Sequence, residues 1–229
     1  MMILASDFDD TIFLNDDISK TRENVKYIKK YVSNGNIFCI ITGRNYTDIK
    51  PILTDYDIAY DYLICEDGAK IFNGDDVCLD TVFLDKEEIE NIVSTLEKEN
   101  CDYYLDDGYN ETDDYNNCVK VVVNVTDELF KNKIVDLIKK SLDIHVYASR
   151  THVNIIHKTV NKENALRRLF NLEKLDYAKL HVIGDNDNDY EMIKAFNGAV
   201  IAKHHEKLNQ LKKNEYESLS DYIKELIKN

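Results

Sequence analysis

Short apolar runs separated by helical patterns constrain the fold of this chain most. The runs at residues 2–8, 36–42 and 61–68 have the length of strands and few polar residues inside them. The segments between them, 19–34 and 45–55, carry the apolar spacing of helices. A strand that is apolar on both faces is buried on both faces, as in parallel sheets covered by helices. The sequence therefore predicts an α/β fold whose core is a doubly wound, Rossmann-like parallel sheet.

The pattern changes over residues 81–158. Two helical segments there are each followed by two strands that alternate apolar and polar residues, which is typical of half-exposed antiparallel strands. The helical segments are 85–100 and 127–141, and the strands are 101–106, 118–125, 143–149 and 152–158. We predict a core domain of residues 1–80 and 159–229, with 81–158 inserted as a smaller α/β domain. The acidic stretch 102–117 is expected to be a solvated turn.

Charge and cysteine content exclude several classes of protein. Lys and Arg number 29 against 43 Asp and Glu, a net charge of −14 at pH 7, so nucleic acid is not an expected partner. The five cysteines form no C-x-x-C pair, which favours a reducing compartment over disulfides or zinc. No segment approaches the roughly 20 apolar residues of a membrane span. We expect a cytoplasmic protein without membrane contact, and its oligomeric state stays open.

Charged and polar residues lie at the ends of three predicted core strands, namely 2–8, 36–42 and a later strand at 178–185. They are Asp7, Asp9, Asp10 and Thr11; Thr42, Gly43 and Arg44; and Gly184 to Asp189, with Lys162 at the start of a nearby helix. The carboxyl ends of parallel strands meet at one edge of a sheet, so we expect these side chains to lie close together. Carboxylates from two strands repel each other unless a cation lies between them. Oxygen ligands without His or Cys indicate a hard ion, Mg²⁺.

Four motifs together resemble those of the haloacid dehalogenase (HAD) superfamily of phosphohydrolases. They are DFDDT at 7–11, TGR at 42–44, NKENAL at 161–166 and GDNDND at 184–189. Their order, with an insertion between the second and third motifs, resembles subfamily IIB, the Cof-like phosphatases, whose α/β cap domain matches residues 81–158. The resemblance implies a Mg²⁺-dependent phosphatase that acts on a small phosphorylated metabolite, a sugar phosphate in the first place, through an aspartyl-phosphate intermediate.

The resemblance also implies roles for the motif residues. Asp7 is expected to be the nucleophile, and Asp9 the general acid and base. Mg²⁺ is expected to bind Asp7, the backbone carbonyl of Asp9, and Asp185. The phosphate is expected to contact Thr42, Gly43, Arg44 and Lys162, of which Thr42 and Lys162 are also expected to act in catalysis. Asn188 and Asp189 are expected to support the metal and its waters without binding the ion.

A few positions depart from the family pattern or carry no clear role. Asp10 stands where the family often has glycine, and we expect its side chain to point away from the phosphate. Residues 67–69 stand where the family often reads NGA, and they are expected to face the substrate. His152, Asn154 and His157 lie on predicted cap strands, where an ordinary strand position is favoured over substrate contact.

Other functions fit part of the pattern. A phosphomannomutase-like phosphomutase shares the IIB architecture but returns the phosphate to the sugar. A receiver-type signalling domain also surrounds a phospho-aspartate with an acidic pair, a threonine and a lysine, but it is much shorter and has no inserted domain. A binding protein with an inactive site would not need both Asp7 and Asp9. The substrate stays open among phosphosugars, phosphoglycolate and cofactors such as pyridoxal phosphate.

Overall fold

The structure, a computed structural model, describes residues 1–148 and 151–228. Within these ranges the chain forms two β-sheets, called here the large sheet and the small sheet, and seven α-helices. Ser149, the last residue of the predicted strand 143–149, and Asn229, the last residue of the predicted core domain, lie outside the described residues.

The strands and helices of the described residues have the following bounds. The strands are β1 (Ile3–Asp7), β2 (Ile37–Ile41), β3 (Tyr62–Cys65), β4 (Lys70–Asn73), β5 (Cys78–Thr81), β6 (Tyr103–Asp106), β7 (Glu111–Thr112), β8 (Lys120–Asn124), β9 (His145–Ala148), β10 (His152–Ile156), β11 (Leu180–Gly184), β12 (Asn197–Ile201) and β13 (Glu215–Tyr216). The helices are α1 (Ile18–Ser33), α2 (Tyr46–Asp55), α3 (Lys86–Lys98), α4 (Glu128–Ser141), α5 (Lys162–Glu173), α6 (Tyr190–Ala195) and α7 (Leu219–Leu226).

The large sheet has the strand order β13-β12-β11-β1-β2-β3-β4-β5 in the described part of the chain. Neighbouring strands pair in parallel except β3 with β4 and β4 with β5, which pair antiparallel at one edge of the sheet. Neighbouring residues of a strand point to opposite faces. Leu4 accordingly packs in a cluster with residues of α1, α2 and α7. Ile3 and Ala5 pack in a second cluster with α5 and α6. The predicted doubly wound α/β core is confirmed.

The small sheet is antiparallel, with the strand order β7-β6-β8-β10-β9 among the described residues. One face packs against α3 and α4 through apolar residues such as Val121 and Val153. The opposite face turns Ile156 toward Ala69, which follows β3 in the large sheet. All strands of the small sheet come from the predicted insertion. The large-sheet strand β5 ends at residue 81, which is the first residue of that predicted insertion. This separation supports the domain boundaries, which stay a prediction.

Several local expectations need correction. Residues 66–68 are not the end of a strand: Glu66 and Asp67 have positive φ values of 54° and 51°, which turn the chain back into β4. The acidic stretch 102–117 is not a solvated turn throughout. Its first residues form β6, which lies within the predicted strand 101–106, and the stretch also contains the unpredicted β7. Its Tyr109 packs against the rings of Tyr46 and Phe72, with centroids 5.6 and 5.9 Å apart. No helix within the described ranges has the length and apolar character needed to span a membrane.

Candidate active site

The candidate active site lies where the central strands of the large sheet end. β1 pairs in parallel with β2 on one side and β11 on the other, so the ends of these three strands are neighbours. Asp7 is the last residue of β1, Thr42 follows β2 and Asp185 follows β11. These residues are buried, with exposures of 6%, 1% and 7%. The structure thus brings three sequence-predicted residues to one edge, as expected for parallel strands.

Lys162 connects two of the acidic residues. It is the first residue of α5, whose N-cap Asn161 accepts a hydrogen bond from the backbone N–H of Asn164. The Lys162 Nζ lies 2.5 Å from Asp7 Oδ1 and 2.6 Å from Asp189 Oδ1, and the residue is only 1% exposed. Carboxylate oxygens of Asp7, Asp185 and Asp189 lie within 4.8 Å of one another. One lysine therefore shares a buried cluster with three carboxyl groups.

The electrostatics of the cluster follow from burial and repulsion. Burial raises the pKa of Asp7 well above its usual range; Lys162 opposes this, and the nearby Asp189 and Asp185 add to it. Burial, followed by repulsion from Asp189, raises the pKa of Asp185 to about 7. Burial alone would lower the pKa of Lys162, but the carboxylates of Asp189 and Asp7 raise it. Negative charge in this cluster is therefore only partly compensated by the protein.

The loop after β11 is built around Asp189. Its Oδ2 accepts the backbone N–H groups of Asp185 and Asn186, each at 3.0 Å. Gly184 has no side chain because a Cβ there would collide with the Asp189 carboxylate. Asp189 thus holds the loop that carries Asp185, while its Oδ1 is occupied by Lys162. This arrangement suits the predicted supporting position, and the role itself stays a prediction.

The loops after β2 and β3 contact each other. A Cβ on Gly43 would lie 2.9 Å from Asp67 Oδ2, so a larger residue there would displace the Asp67 carboxylate. The other carboxylate oxygen, Asp67 Oδ1, accepts a hydrogen bond from Asn188 Nδ2 at 2.8 Å. Thr42 Oγ1 accepts the backbone N–H of Arg44 at 3.1 Å. Asp67 therefore links the Thr42–Arg44 loop to the Asp185–Asp189 loop.

Arg44 contacts a catalytic candidate directly. Its Nη2 lies 2.6 Å from Asp9 Oδ1 and its Nε 3.0 Å from Asp9 Oδ2. The guanidinium carbon lies 5.8 Å from the centroid of the Phe8 ring, which it covers. Hydrogen bonding to Asp9 raises the pKa of Arg44. The side chain predicted to bind substrate is thus paired with the predicted general acid and base.

Asp10, the residue without a role, has a conformational explanation. Its φ is 59°, in the left-handed region that glycine adopts most easily, and its side chain is exposed. Its backbone N–H donates to the carbonyl of Phe13 at 2.9 Å, which closes the turn after β1. Asp is among the residues that tolerate this conformation. The position therefore requires a backbone geometry rather than a carboxylate.

Two residues named in the sequence analysis without a catalytic, metal or phosphate role, Thr11 and Asp67, also lie in the candidate site. Thr11 is 1% exposed, and its Oγ1 donates to Asp185 Oδ1 at 2.8 Å. Its position at the end of the DFDDT motif was the available signal. Asp67 lies in the NGA-like loop, and that resemblance pointed toward it.

His152, Asn154 and His157, the positions noted on the insertion, have contacts within the small sheet or with neighbouring residues. His152 and His157 have Nδ1 atoms 2.9 and 2.8 Å from the hydroxyls of Thr151 and Thr159. Asn154 lies within β10, opposite Tyr147 of β9. All three lie on or directly after β10.

A buried aspartate, an adjacent lysine and two further carboxylates thus meet at the strand ends of the large sheet. The family model for haloacid dehalogenase-like hydrolases matches residues 4–113 and 105–221. The chain therefore belongs to the haloacid dehalogenase-like hydrolases.

Known relatives agree with this assignment. The HMP-PP phosphatase of Yersinia enterocolitica serotype O:8 is 26% identical over 222 residues, which cover 83% of this chain and 80% of the relative. A haloacid dehalogenase-like hydrolase from B. subtilis superposes with a TM-score of 0.83 at 17% identity, covering 99% of this chain and 100% of that chain. A HAD subclass IIB sugar phosphatase superposes with a TM-score of 0.81 at 14% identity, covering 99% of both chains. The two structural matches show a shared fold.

These comparisons confirm the predicted membership, a Cof-like HAD hydrolase, and the predicted enzyme class, a phosphatase.

Proposed function

We propose that the protein is a Mg²⁺-dependent phosphatase that hydrolyses a small phosphorylated metabolite, a sugar phosphate in the first place, through a phospho-aspartate at Asp7. The observation that carries this proposal is the buried contact of Lys162 with both Asp7 and Asp189 beside Asp185. The named activities of the relatives, an HMP-PP phosphatase and a sugar phosphatase, support a small phosphorylated substrate. The net charge of −14 supports a protein that does not bind nucleic acid, and we propose a cytoplasmic location without membrane contact.

The acidic cluster fits a divalent cation. Three carboxyl groups share one lysine, and mutual repulsion contributes to the raised pKa values of Asp7 and Asp185. A hard cation would relieve this repulsion, and oxygen ligands suit Mg²⁺. We propose that Asp7, Asp185 and the backbone carbonyl of Asp9 hold the ion, which would neutralise charge on the phosphate. Asp189 would support the site through Lys162 and the loop amides.

The reaction would proceed in two displacements at phosphorus. A carboxylate oxygen of Asp7 forms a bond to phosphorus while the bond to the leaving oxygen breaks, and Asp9 gives its proton to that oxygen. Water then attacks the phospho-aspartate, Asp9 takes a proton from the water, and the bond between phosphorus and Asp7 breaks. Inorganic phosphate is released and both side chains return to their initial state.

The remaining residues would stabilise charge on the phosphoryl group. Lys162 contacts Asp7 directly, so its ammonium can reduce the repulsion between that carboxylate and an anionic substrate. The Thr42 hydroxyl and the backbone N–H of Gly43 would donate hydrogen bonds to phosphate oxygens. Between the two displacements, when Asp9 is a carboxylate, Arg44 would hold it through three donated hydrogen bonds and reach the substrate from there.

Hydrolysis of p-nitrophenyl phosphate tests the proposal. We expect Mg²⁺-dependent release of phosphate that stops when EDTA is added. Asp7→Asn should abolish turnover because an amide cannot act as the nucleophile. Asp10→Asn is the matched control, since it makes the same change at an exposed residue in the same turn and should retain activity.

Two results would count against the proposal. Full turnover by Asp7→Asn would exclude Asp7 as the nucleophile. Phosphate transfer back to a sugar, dependent on a bisphosphorylated activator and without phosphate release, would indicate a phosphomutase instead.

A further inference from the structure

A buried lysine of the small sheet contacts the turn after β3. Lys120, the first residue of β8, is 7% exposed and forms an ion pair with Glu66, which is fully buried. Lys120 lies on the small sheet, whereas Glu66 directly follows a strand of the large sheet. The pair therefore joins the two sheets by a charge contact that is shielded from water.

A second carboxylate accompanies Lys120 within the small sheet. Asp106 lies opposite Lys120 in the pairing of β6 with β8 and is 3% exposed. Its Oδ1 accepts the backbone N–H of Gly108 at 2.6 Å, and its Oδ2 lies 3.3 Å from Asn45 Nδ2. The lysine thus lies near one carboxylate of its own sheet and one of the other sheet. Lys120 therefore has two carboxylates nearby, whereas the ion-pair partner of Glu66 in the described part of the chain is Lys120.

Glu66 depends on that single cation. Burial raises the pKa of Glu66 to about 7; Lys120 opposes this effect and Asp106 adds to it. Among the described residues, neither carboxylate oxygen of Glu66 accepts a well-aligned hydrogen bond. A buried carboxylate in this position is costly if its cation is removed.

The turn that carries Glu66 is bonded to the candidate active site. The backbone N–H of Glu66 donates to the carbonyl of Arg44, and that of Asp67 to the carbonyl of Thr42, both at 3.0 Å. Asp67 also accepts the hydrogen bond from Asn188. A displacement of this turn would therefore move both loops that surround the phosphate position.

The turn is also conformationally strained. Three successive residues, Glu66, Asp67 and Gly68, have positive φ values of 54°, 51° and 115°. Non-glycine residues adopt such values only where the surroundings hold them. The turn consequently relies on its contacts, and the buried contact with Lys120 is one of them.

We propose that Lys120 is a positioning residue for phosphoryl transfer: by neutralising Glu66, it holds the turn Glu66–Gly68 against Thr42 and Arg44. This inference rests on the proposed phosphatase function. At a pH well above 7, where Glu66 is ionised beside Lys120, loss of the ammonium group would leave an unpaired buried carboxylate. Glu66 would then be drawn toward water, and the turn would leave its place beside the phosphate-binding loops. Displacements of about 1 Å near reacting groups can lower rates by about 100-fold.

The test compares Lys120→Met with the double variant Lys120→Met/Glu66→Gln. With p-nitrophenyl phosphate and Mg²⁺, Lys120→Met should lower kcat by about 10- to 100-fold with little change in KM, because positioning fails after binding. The double variant removes both charges, so no buried carboxylate is left unpaired, and kcat should return to within a few-fold of the wild type.

Amide hydrogen exchange gives a readout that is independent of activity. In Lys120→Met, the amides of Glu66 and Asp67 should exchange faster, because their hydrogen bonds to Arg44 and Thr42 open more often. Amides of β1 should be unchanged, and the double variant should restore slow exchange at the turn.

The inference is overturned if folded Lys120→Met keeps the wild-type kcat, or if the double variant is as slow as the single one. Should Lys120→Met not fold, the double variant decides: a folded double variant with a large loss of kcat contradicts the proposal. Absence of hydrolysis by the wild type would count against the phosphatase function, while the exchange measurement would still test whether Lys120 holds the turn.

Discussion

Thr11→Val is the substitution whose effect follows most directly from one bond. The Thr11 hydroxyl donates to Asp185 Oδ1 at 2.8 Å inside the buried cluster. Valine has nearly the same shape, so the change removes the donor and leaves little else altered. A hydrogen bond to a charged group contributes about 1.5–3 kcal/mol. A tenfold change in affinity corresponds to about 1.4 kcal/mol. Loss of the bond should therefore weaken Mg²⁺ binding about 10- to 100-fold, the range typical of residues that orient metal ligands.

The assay is phosphatase activity titrated with Mg²⁺. We expect the half-saturating Mg²⁺ concentration of Thr11→Val to rise by that factor, while kcat at saturating Mg²⁺ stays near the wild-type value. Thr11→Ser keeps the hydroxyl and serves as the matched control, which should titrate like the wild type. If Thr11→Val and the wild type required the same Mg²⁺ concentration, the hydrogen bond from Thr11 to Asp185 would not contribute to Mg²⁺ binding.

Three further predictions concern the carboxylates and the close contact at Gly43. In the folded protein, burial raises the pKa of Glu66 from its ordinary 4.5 to about 7. The unfolded chain loses the Glu66 proton first as the pH rises, so the wild type should lose up to about 3 kcal/mol of stability between these pH values. Glu66→Gln should lack this pH-dependent loss of stability. If urea unfolding gave the same difference in stability between the wild type and Glu66→Gln at every pH, the prediction would be wrong. Gly43→Ala should lower kcat/KM by at least about tenfold, because its Cβ would press on Asp67; unchanged kinetics would exclude that contact. Asp9→Asn should slow breakdown of the phosphorylated enzyme, and wild-type kinetics after rapid mixing would exclude its acid–base role.

Much of the site was predictable because its residues are local to strand ends. Asp7, Thr42 and Asp185 each follow an unbroken apolar run, and the rule that parallel strands end at one edge brings them together. Their motifs also resemble those of one family, which fixes their order along the chain. The same reasoning predicted the doubly wound core, since helix and strand periods alternate clearly there.

The contacts between the sheets could not be predicted in this way. The pairing of Lys120 with Glu66 depends on how the small sheet packs on the turn after β3, and no local pattern encodes that placement. The burial of Tyr109 against Tyr46 and Phe72 likewise lies within a stretch whose composition is strongly acidic. The pairing of Arg44 with Asp9 joins two loops whose side-chain directions a sequence does not specify.

Left-handed backbone conformations are a third feature that the sequence did not predict. Asp10, Glu66 and Asp67 have positive φ values although none of them is glycine. Backbone conformation at such positions is set by the surrounding contacts, so a rule based on glycine misses them. For Asp10 the family preference for glycine was the one available sign of this geometry.

The location of the phosphoryl group during turnover decides whether Asp7 is the nucleophile. Asp9→Asn enzyme mixed with substrate and Mg²⁺ can be quenched in acid, digested and analysed by mass spectrometry. We expect one added phosphoryl group on Asp7 of the Asp9→Asn enzyme, and none on the double variant Asp7→Asn/Asp9→Asn. Turnover of the wild type with no phosphoryl group on Asp7 in the quenched Asp9→Asn enzyme, or with the group on another residue, would contradict this assignment.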